Sequence, residues 1–342
     1  SHVAILARAM GVPAVMGALD LPTYELEGAS LIVDGHYGDV YTRPSAERLA
    51  ENKLLLQQEQ VFAEELNDLK ELPGVTRDGW QVQLCVNIGL TGDITRSLDR
   101  GAEGIGLFRT EVPFMSQDRF PTELEQRALY REHMEAFEPR PVTMRTLDIG
   151  GDKALSYFPI QEENPFLGWR GLRICLDEHD LFKTQLRALL RASSLGKLRI
   201  LLPMISGTQE LARARALVDE VKVELRESGQ GFGEDAELGV MVEVPSVALM
   251  VDRFAPHCDF LSLGTNDLTQ YTLAVDRGNS KVASLYDPFH PAVLQLIKAV
   301  ADAGVCHAKP VNICGEMAGD PLATVLLIGL GLNRLSLSPG LI

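Results

Sequence analysis

Five apolar runs in this sequence end in residues that do chemistry. Phe108 leads into Arg109, Thr110 and Glu111; Arg145 leads through Thr146 and Leu147 to Asp148; Val242 leads to Glu243; Gly264 leads into Thr265, Asn266 and Asp267; Cys314 is followed by Gly315 and Glu316. Arginine offers planar donors that grip a phosphate or carboxylate at two points. Two carboxylates from neighbouring strands suit Mg2+, a hard cation that favours oxygen ligands and phosphate. A thiol gives or takes a proton. These residue types describe a site for a small, doubly anionic, phosphorylated molecule. Each also has a plainer reading alone: the arginines as surface ion pairs, Glu243 before Val244-Pro245 as a strand terminus, Cys314 as a small buried apolar group. The residues by themselves leave two classes open, an enzyme and a barrel with a decorated rim.

The elements that must position these groups are strands alternating with helices. Eight runs read as strands: 81–88, 104–109, 141–147, 198–204, 238–244, 259–264, 310–315 and 333–338. They are short and almost wholly apolar, as strands covered on both faces are. Amphipathic stretches at 122–137, 180–194, 207–228 and 290–303 separate them. The pattern predicts an α/β fold, a (β/α)8 TIM barrel, with an open doubly wound sheet as the alternative. In such a barrel, chemistry gathers at the C-terminal ends of the strands, where the polar residues fall.

Before the barrel the chain reads differently. Residues 1–45 suggest a small mixed piece: a helix in SHVAILARAM, a short strand at Ala14–Met16 and two strands around Asp34-Gly35-His36. Residues 45–71 lack Gly and Pro and are rich in helix formers, which predicts one long helix with an apolar stripe through Leu49, Leu54, Leu55, Phe62 and Leu66. The opening on Ser1 and the stop at Ile342, soon after the eighth strand-like run, suggest a chain cut at both ends.

Composition narrows the function. The 342 residues carry 32 Lys+Arg against 47 Asp+Glu, a formal charge of −15, which disfavours nucleic acid as the main partner. No window approaches the ~18 apolar residues of a membrane span. Five cysteines without a CxxC pair fit a reducing, cytoplasmic setting better than a disulfide framework.

The segments GAEGIGLFRTEVPFM (101–115), RTLDIGGDK (145–153), NPFLGWRGLRICL (164–176), LLPMIS (201–206), VMVEVPS (240–246), DFLSLGTNDLTQYTLAVDRGN (259–279), YDPFHPAVL (286–294) and CGEMAGDP (314–321) run in order along nearly the whole chain. They resemble the phosphoenolpyruvate–protein phosphotransferases, the enzyme I family of the bacterial phosphotransferase system. Pyruvate phosphate dikinase and phosphoenolpyruvate synthase share the barrel and the Cys-Gly-Glu segment, but RTLDIGGDK followed by ENPFLGWRG is the enzyme I form. RTEVPFM and FPTELEQ resemble the nitrogen-related branch. The opening SHVAILARAMGVPAVMG is similar to the segment around the phosphorylated histidine in the family's swivelling domain.

The resemblance implies three parts: residues 1–45 as the C-terminal remnant of that swivelling domain, 46–72 as a linker helix, and 73–342 as the phosphoenolpyruvate-binding barrel without its last helix. It implies that Arg109, Arg145, Arg170 and Arg277 grip phosphoenolpyruvate, that Asn266 and Asp267 lie against it, and that Glu243 and Asp267 hold Mg2+. It implies that Cys314 protonates the enolate carbon as pyruvate forms. His2 would take the phosphoryl group and pass it to an HPr-like phosphocarrier. The implied protein is a cytoplasmic homodimer at full length, with no nucleic-acid or membrane partner. A non-catalytic module that senses phosphoenolpyruvate is the other class in view. Lys153 reads equally as an anion contact or a solvated loop residue, His290 as capping or packing near a helix start and His36 as a solvated turn.

Overall fold

The structure, a computed structural model, describes residues 7, 12–18, 21, 26–35 and 37–342. His2 and His36 lie outside the described residues, as does nearly all of the expected helix in SHVAILARAM. The chain divides into two compact units, Ser1–Pro73 and Gly74–Ile342.

In the first unit, β1 (Leu31–Asp34) pairs antiparallel with β2 (Asp39–Thr42). The long helix runs Ala46–Asn67, and the Ser45 hydroxyl caps it by accepting from the Arg48 N–H at 3.2 Å. The Arg48 guanidinium stacks 3.9 Å from the centre of the Tyr41 ring. Two expectations need correction. Ala14–Met16 takes no regular secondary structure: Pro13 lacks a donor and Gly17 sits at a φ of +79°, so too few residues remain between breakers. The helix also buries no clean apolar stripe, because Leu54, Leu55, Leu56, Val61, Phe62 and Leu66 are all exposed.

In the second unit, β3 (Gln83–Ile88), β4 (Ile105–Arg109), β5 (Pro141–Arg145), β6 (Lys197–Leu202), β7 (Glu237–Val242), β8 (Phe260–Leu263), β9 (Val311–Ile313) and β10 (Arg334–Leu337) form a closed barrel. Every neighbouring pair is parallel, and β10 returns to pair with β3. That closure excludes the open sheet. Helices Glu123–Phe137, His179–Ala192, Thr208–Glu227 and Pro291–Cys306 fall where the amphipathic stretches predicted them. The first starts on a reciprocal capping box between Thr122 and Glu125. His290 does cap the last of them, its Nδ1 accepting from the Ala292 N–H at 3.2 Å. Among the described residues no helix is long and apolar enough to cross a membrane.

One buried polar side chain ties the outer helices to the rim. Helix His179–Ala192 buries Phe182, Leu186, Leu189 and Leu190, and on the same face Gln185. The Gln185 amide accepts from the Leu147 N–H at 2.9 Å and donates to the Thr110 and Tyr130 hydroxyls, each at 3.2 Å. Thr110 in turn donates to the Arg145 carbonyl at 2.7 Å. The ends of β4 and β5 are thereby fixed to each other and to a helix. Gln185→Leu keeps the volume but leaves the Leu147 N–H buried without an acceptor. It is expected to lower stability by about 1–3 kcal/mol, read as a reduced urea midpoint with an unchanged slope. A midpoint equal to the parent's would show that this amide does not hold the rim.

Candidate functional site

At the C-terminal mouth of the barrel, charges of opposite sign interlock. Arg145, at the end of β5, is ion-paired with Glu111 and, at 3.0 Å, with Asp148. Asp148 is completely buried and also receives Lys153 and the Arg170 Nε at 3.3 Å. Lys153 reaches Glu111 as well, at 3.3 Å. Arg170 then clasps Asp267 with both terminal nitrogens, at 3.2 and 3.0 Å, and donates to the Tyr271 hydroxyl at 3.2 Å. Its second bond to Asp148, at 3.4 Å, completes the set. All five guanidinium donors of Arg170 therefore have acceptors. The loop that carries it fits closely: a Cβ on Gly171, whose φ is +58°, would fall 3.1 Å from the Asp148 carboxylate.

Burial alone would neutralise these groups. Instead, Lys153, Arg145 and Arg170 hold the Asp148 carboxyl well below its ordinary range against its own desolvation. Burial opposes the Arg145 charge, yet Glu111, Asp148 and Glu243 outweigh it and raise its pKa. Asp267 stays low for the same kind of reason, with Arg170 offsetting desolvation. Glu243, one residue past β7, behaves differently. Burial first, then the negative charges of Asp267 and Asp148, push its carboxyl up to about 8. It forms no ion pair among the described residues and accepts one short hydrogen bond, 2.6 Å, from the Met204 N–H. Met204 has a φ of +55°, uncommon for a residue with a side chain, and this backbone turn aims its N–H at the carboxylate.

Three polar side chains on the same rim are left available. The guanidinium of Arg109, at the end of β4, is half-buried and makes no hydrogen bond or ion pair among the described residues; burial lowers its pKa, and its electrostatic neighbours are Glu111, Arg145, Cys314 and Glu316. The side chain of Arg277 is likewise half-buried and unpaired among the described residues, while its backbone N–H donates to Gln270 at 3.2 Å. Asn266 accepts from the Glu316 N–H at 2.9 Å, which leaves its NH2 group without an acceptor among the described residues. Its carbonyl accepts from the Tyr286 hydroxyl at 3.2 Å, and Tyr286 feels the charge of Arg277.

Cys314 stands immediately after β9, buried, in an inner cluster with Leu107, Leu201, Met241 and Phe260. The Ser262 hydroxyl donates to its sulfur at 3.4 Å, and the sulfur lies 3.5 Å from the Leu263 carbonyl. Burial raises its pKa against the pull of Ser262 and Arg145, so at neutral pH the thiol keeps its proton.

The structure thus brings Arg109, Arg145, Arg170, Glu243, Asp267 and Cys314 to one mouth, with Asn266 in the first turn of the helix Thr265–Leu273 and Arg277 in the segment that follows it; His2 lies outside the described residues. Of the two readings open for Lys153, the solvated loop is the one to correct: the lysine partners two buried carboxylates. The reason is a turn in which Gly150 and Lys153 exchange backbone hydrogen bonds of 3.0 and 3.1 Å, folding the lysine back over Asp148. Glu111, Asp148 and Tyr271 were given no role by sequence. The carboxylates were visible at strand ends, whereas nothing local marked Tyr271.

The donor set also fits a magnesium ion. No group of three or more His, Cys, Asp and Glu able to hold a metal occurs among the described residues. Mg2+ needs fewer, since it keeps water and substrate oxygens as ligands. Glu243 and Asp267 are mutually repelling carboxylates, and Glu243 lacks a cation. A Cβ at Gly264 would lie 3.0 Å from the Glu243 Oε2, so the missing side chain keeps that oxygen clear.

Comparison with known proteins agrees with this geometry. Three curated proteins called phosphoenolpyruvate-protein phosphotransferase each match 99% of the chain: one from Staphylococcus carnosus at 47% identity, one from Haemophilus influenzae at 46% and one from Bacillus subtilis at 46%. The chain spans about three-fifths of their length, 59% of the first two and 60% of the third. The family model "PEP-utilising enzyme, mobile domain" matches residues 1–38. The model "PEP-utilising enzyme, PEP-binding domain" matches residues 63–342, which covers the whole barrel and every group at its mouth, and the chain therefore belongs to the PEP-utilising enzymes.

Proposed function

We propose that this chain is the phosphoenolpyruvate-binding part of a phosphoenolpyruvate–protein phosphotransferase of the enzyme I type. The observation that carries the reading is the pair of half-buried guanidiniums, Arg109 and Arg277, unpaired among the described residues, beside a network in which Arg145, Lys153 and Arg170 are matched by Glu111, Asp148 and Asp267. Unmatched cations in a partly desolvated mouth are a standing attraction for an anion, worth more there than in water. Arg109 and Arg277 bind the phosphate and carboxylate, Arg145 adds positive potential from below, and the free NH2 of Asn266 donates to a phosphate oxygen. Arg170 has no donor left, so its part is to hold Asp267 and Asp148 in place.

Glu243 and Asp267 would hold Mg2+. When bound, the ion neutralises part of the phosphate charge. Loss of the phosphoryl group leaves an enolate, and the electron pair at its methylene carbon takes the proton of Cys314 to give pyruvate. The resulting thiolate accepts the Ser262 hydrogen bond and faces Arg145 and Arg109. Run backwards, the thiolate removes a methyl proton from pyruvate. The phosphoryl acceptor would be His2, in residues 1–45 as part of a swivelling domain, with 46–72 as linker and 73–342 as the binding barrel. An HPr-like phosphocarrier would receive the group from it. A homodimeric, cytoplasmic protein of the nitrogen-related branch is the full-length form this reading implies.

Two results are expected. Arg109→Ala and Arg277→Ala should each weaken phosphoenolpyruvate binding about 10- to 100-fold, as loss of a charge-assisted hydrogen bond does. Thermal unfolding should be nearly unchanged, since neither side chain has a partner to strand among the described residues. Calorimetric titration decides it, and parent affinity in both variants would remove the anion site from these arginines. The second result concerns pH. Glu243 is protonated below about 8 and must lose that proton to ligate a cation. Mg2+ affinity should therefore rise with pH up to about 8 and level off above it. Below that pH, Mg2+ binding should release a proton, seen as buffer-dependent heat. In Glu243→Gln the release should vanish; a pH-independent affinity in the parent would contradict the assignment.

A further inference from the structure

Asn87 lies inside the barrel on β3, a polar residue between the apolar Val86 and Ile88 of QLCVNI. Its NH2 group donates to the Cys314 carbonyl at 2.9 Å and to the Ser336 carbonyl at 3.0 Å. Its amide oxygen accepts from the Ser336 hydroxyl at 2.6 Å, which fixes which way the amide faces. One side chain thus bonds both β10 and the residue that ends β9.

Two features show why the bridge matters. The first is that β9 has three residues and pairs with β10 at a single position, Leu335 with Ile313. The strand that delivers Cys314 is therefore well anchored on its β8 side, where the Cys314 N–H donates to the Leu263 carbonyl at 3.0 Å, and thinly on the other. The second is a register shift between β3 and β4 at Val86/Asn87, with Gly106 the residue skipped. Such irregularities re-aim side chains. A Cβ on Gly106 would lie 2.2 Å from the Ser336 hydroxyl, so the glycine supplies the space in which Ser336 meets Asn87.

We propose that Asn87 is a positioning residue for the Cys314 thiol, replacing the missing β9–β10 ladder bonds with a side-chain amide and so setting the sulfur's approach to the substrate carbon. The inference rests on the proposed role of Cys314 as the proton donor. Asn87 does not touch substrate in this arrangement; it fixes the backbone from which the sulfur projects, and small misplacements at a reacting centre cost rate far more than affinity.

The test is deuterium uptake into the pyruvate methyl group, followed by proton NMR with the full chain, Mg2+ and varied pyruvate. Asn87→Ala should lower the maximal exchange rate at least tenfold while the pyruvate KM moves less than twofold. Ser336→Ala, which only frees the amide to rotate, should lower the rate at least threefold and covers the case in which Asn87→Ala fails to fold. Adding Asn87→Ala to Cys314→Ala should cost nothing more, because residues that act through one group are not additive. A parent-like maximal rate in folded Asn87→Ala or Ser336→Ala, with Cys314→Ala inactive, overturns the positioning role alone. So does a further loss in the double variant. Parent-like exchange in Cys314→Ala overturns the thiol's role and the positioning proposal with it.

Discussion

The rest of the site depends on Asp148. A completely buried carboxylate is tolerable only when cations surround it, and here Arg145, Lys153 and Arg170 do so from three directions. Each of those cations must itself be matched, and Glu111 and Asp267 complete the pattern. A network of this kind adds little net stability compared with apolar packing, but it is costly to break and rigid when whole. Its effect here is to fix the strand ends and the loop of residues 149–171 in one arrangement. The two arginines left without a partner among the described residues, Arg109 and Arg277, and the Glu243 carboxyl, pushed up to about 8, then stand at defined places around it.

That separation between matched and unmatched charge gives each arginine a distinct task. Arg170 spends every donor inside the protein and shapes Asp267. Arg109 and Arg277 spend none on side chains among the described residues. Glu243 is the counterpart among the carboxyls: it has no ion pair among the described residues, and burial, then Asp267 and Asp148, push its pKa up to about 8. A phosphorylated dianion brought together with a divalent cation would satisfy both ends at once. Cys314 sits in an inner apolar cluster, where desolvation keeps its proton; in the proposed reading that proton goes to a carbanion-like carbon.

Much of this was legible in the sequence because it follows from local pattern. The eight strands show as short apolar runs, and closure into a barrel makes their C-terminal ends converge. Arg109, Glu243 and Cys314 are found in the last two residues of their runs, and Asp267 three residues past its own. What was not legible depends on chain geometry between elements. Lys153 looks solvated until a turn at Gly150 folds it onto Asp148. Gln185 and Asn87 are single polar residues within apolar faces, and only the assembled barrel shows which carbonyls and N–H groups they serve. The φ of Met204 leaves no trace in its neighbours. In the first unit the helix at Ala46–Asn67 was readable from composition, but its supposed apolar stripe was not a buried one.

The most direct measurement of the central claim observes the arginines themselves. With 15N-labelled arginine, the side-chain Nε–Hε signals of Arg109, Arg145, Arg170 and Arg277 can be assigned by single Lys substitutions and followed while phosphoenolpyruvate and Mg2+ are added. The account predicts large, saturable shifts for Arg109 and Arg277 and a nearly stationary Arg170, whose Nε stays on Asp148. A moving Arg170 signal with stationary Arg109 and Arg277 would contradict it, and would mean that the buried ion pairs open to receive the substrate.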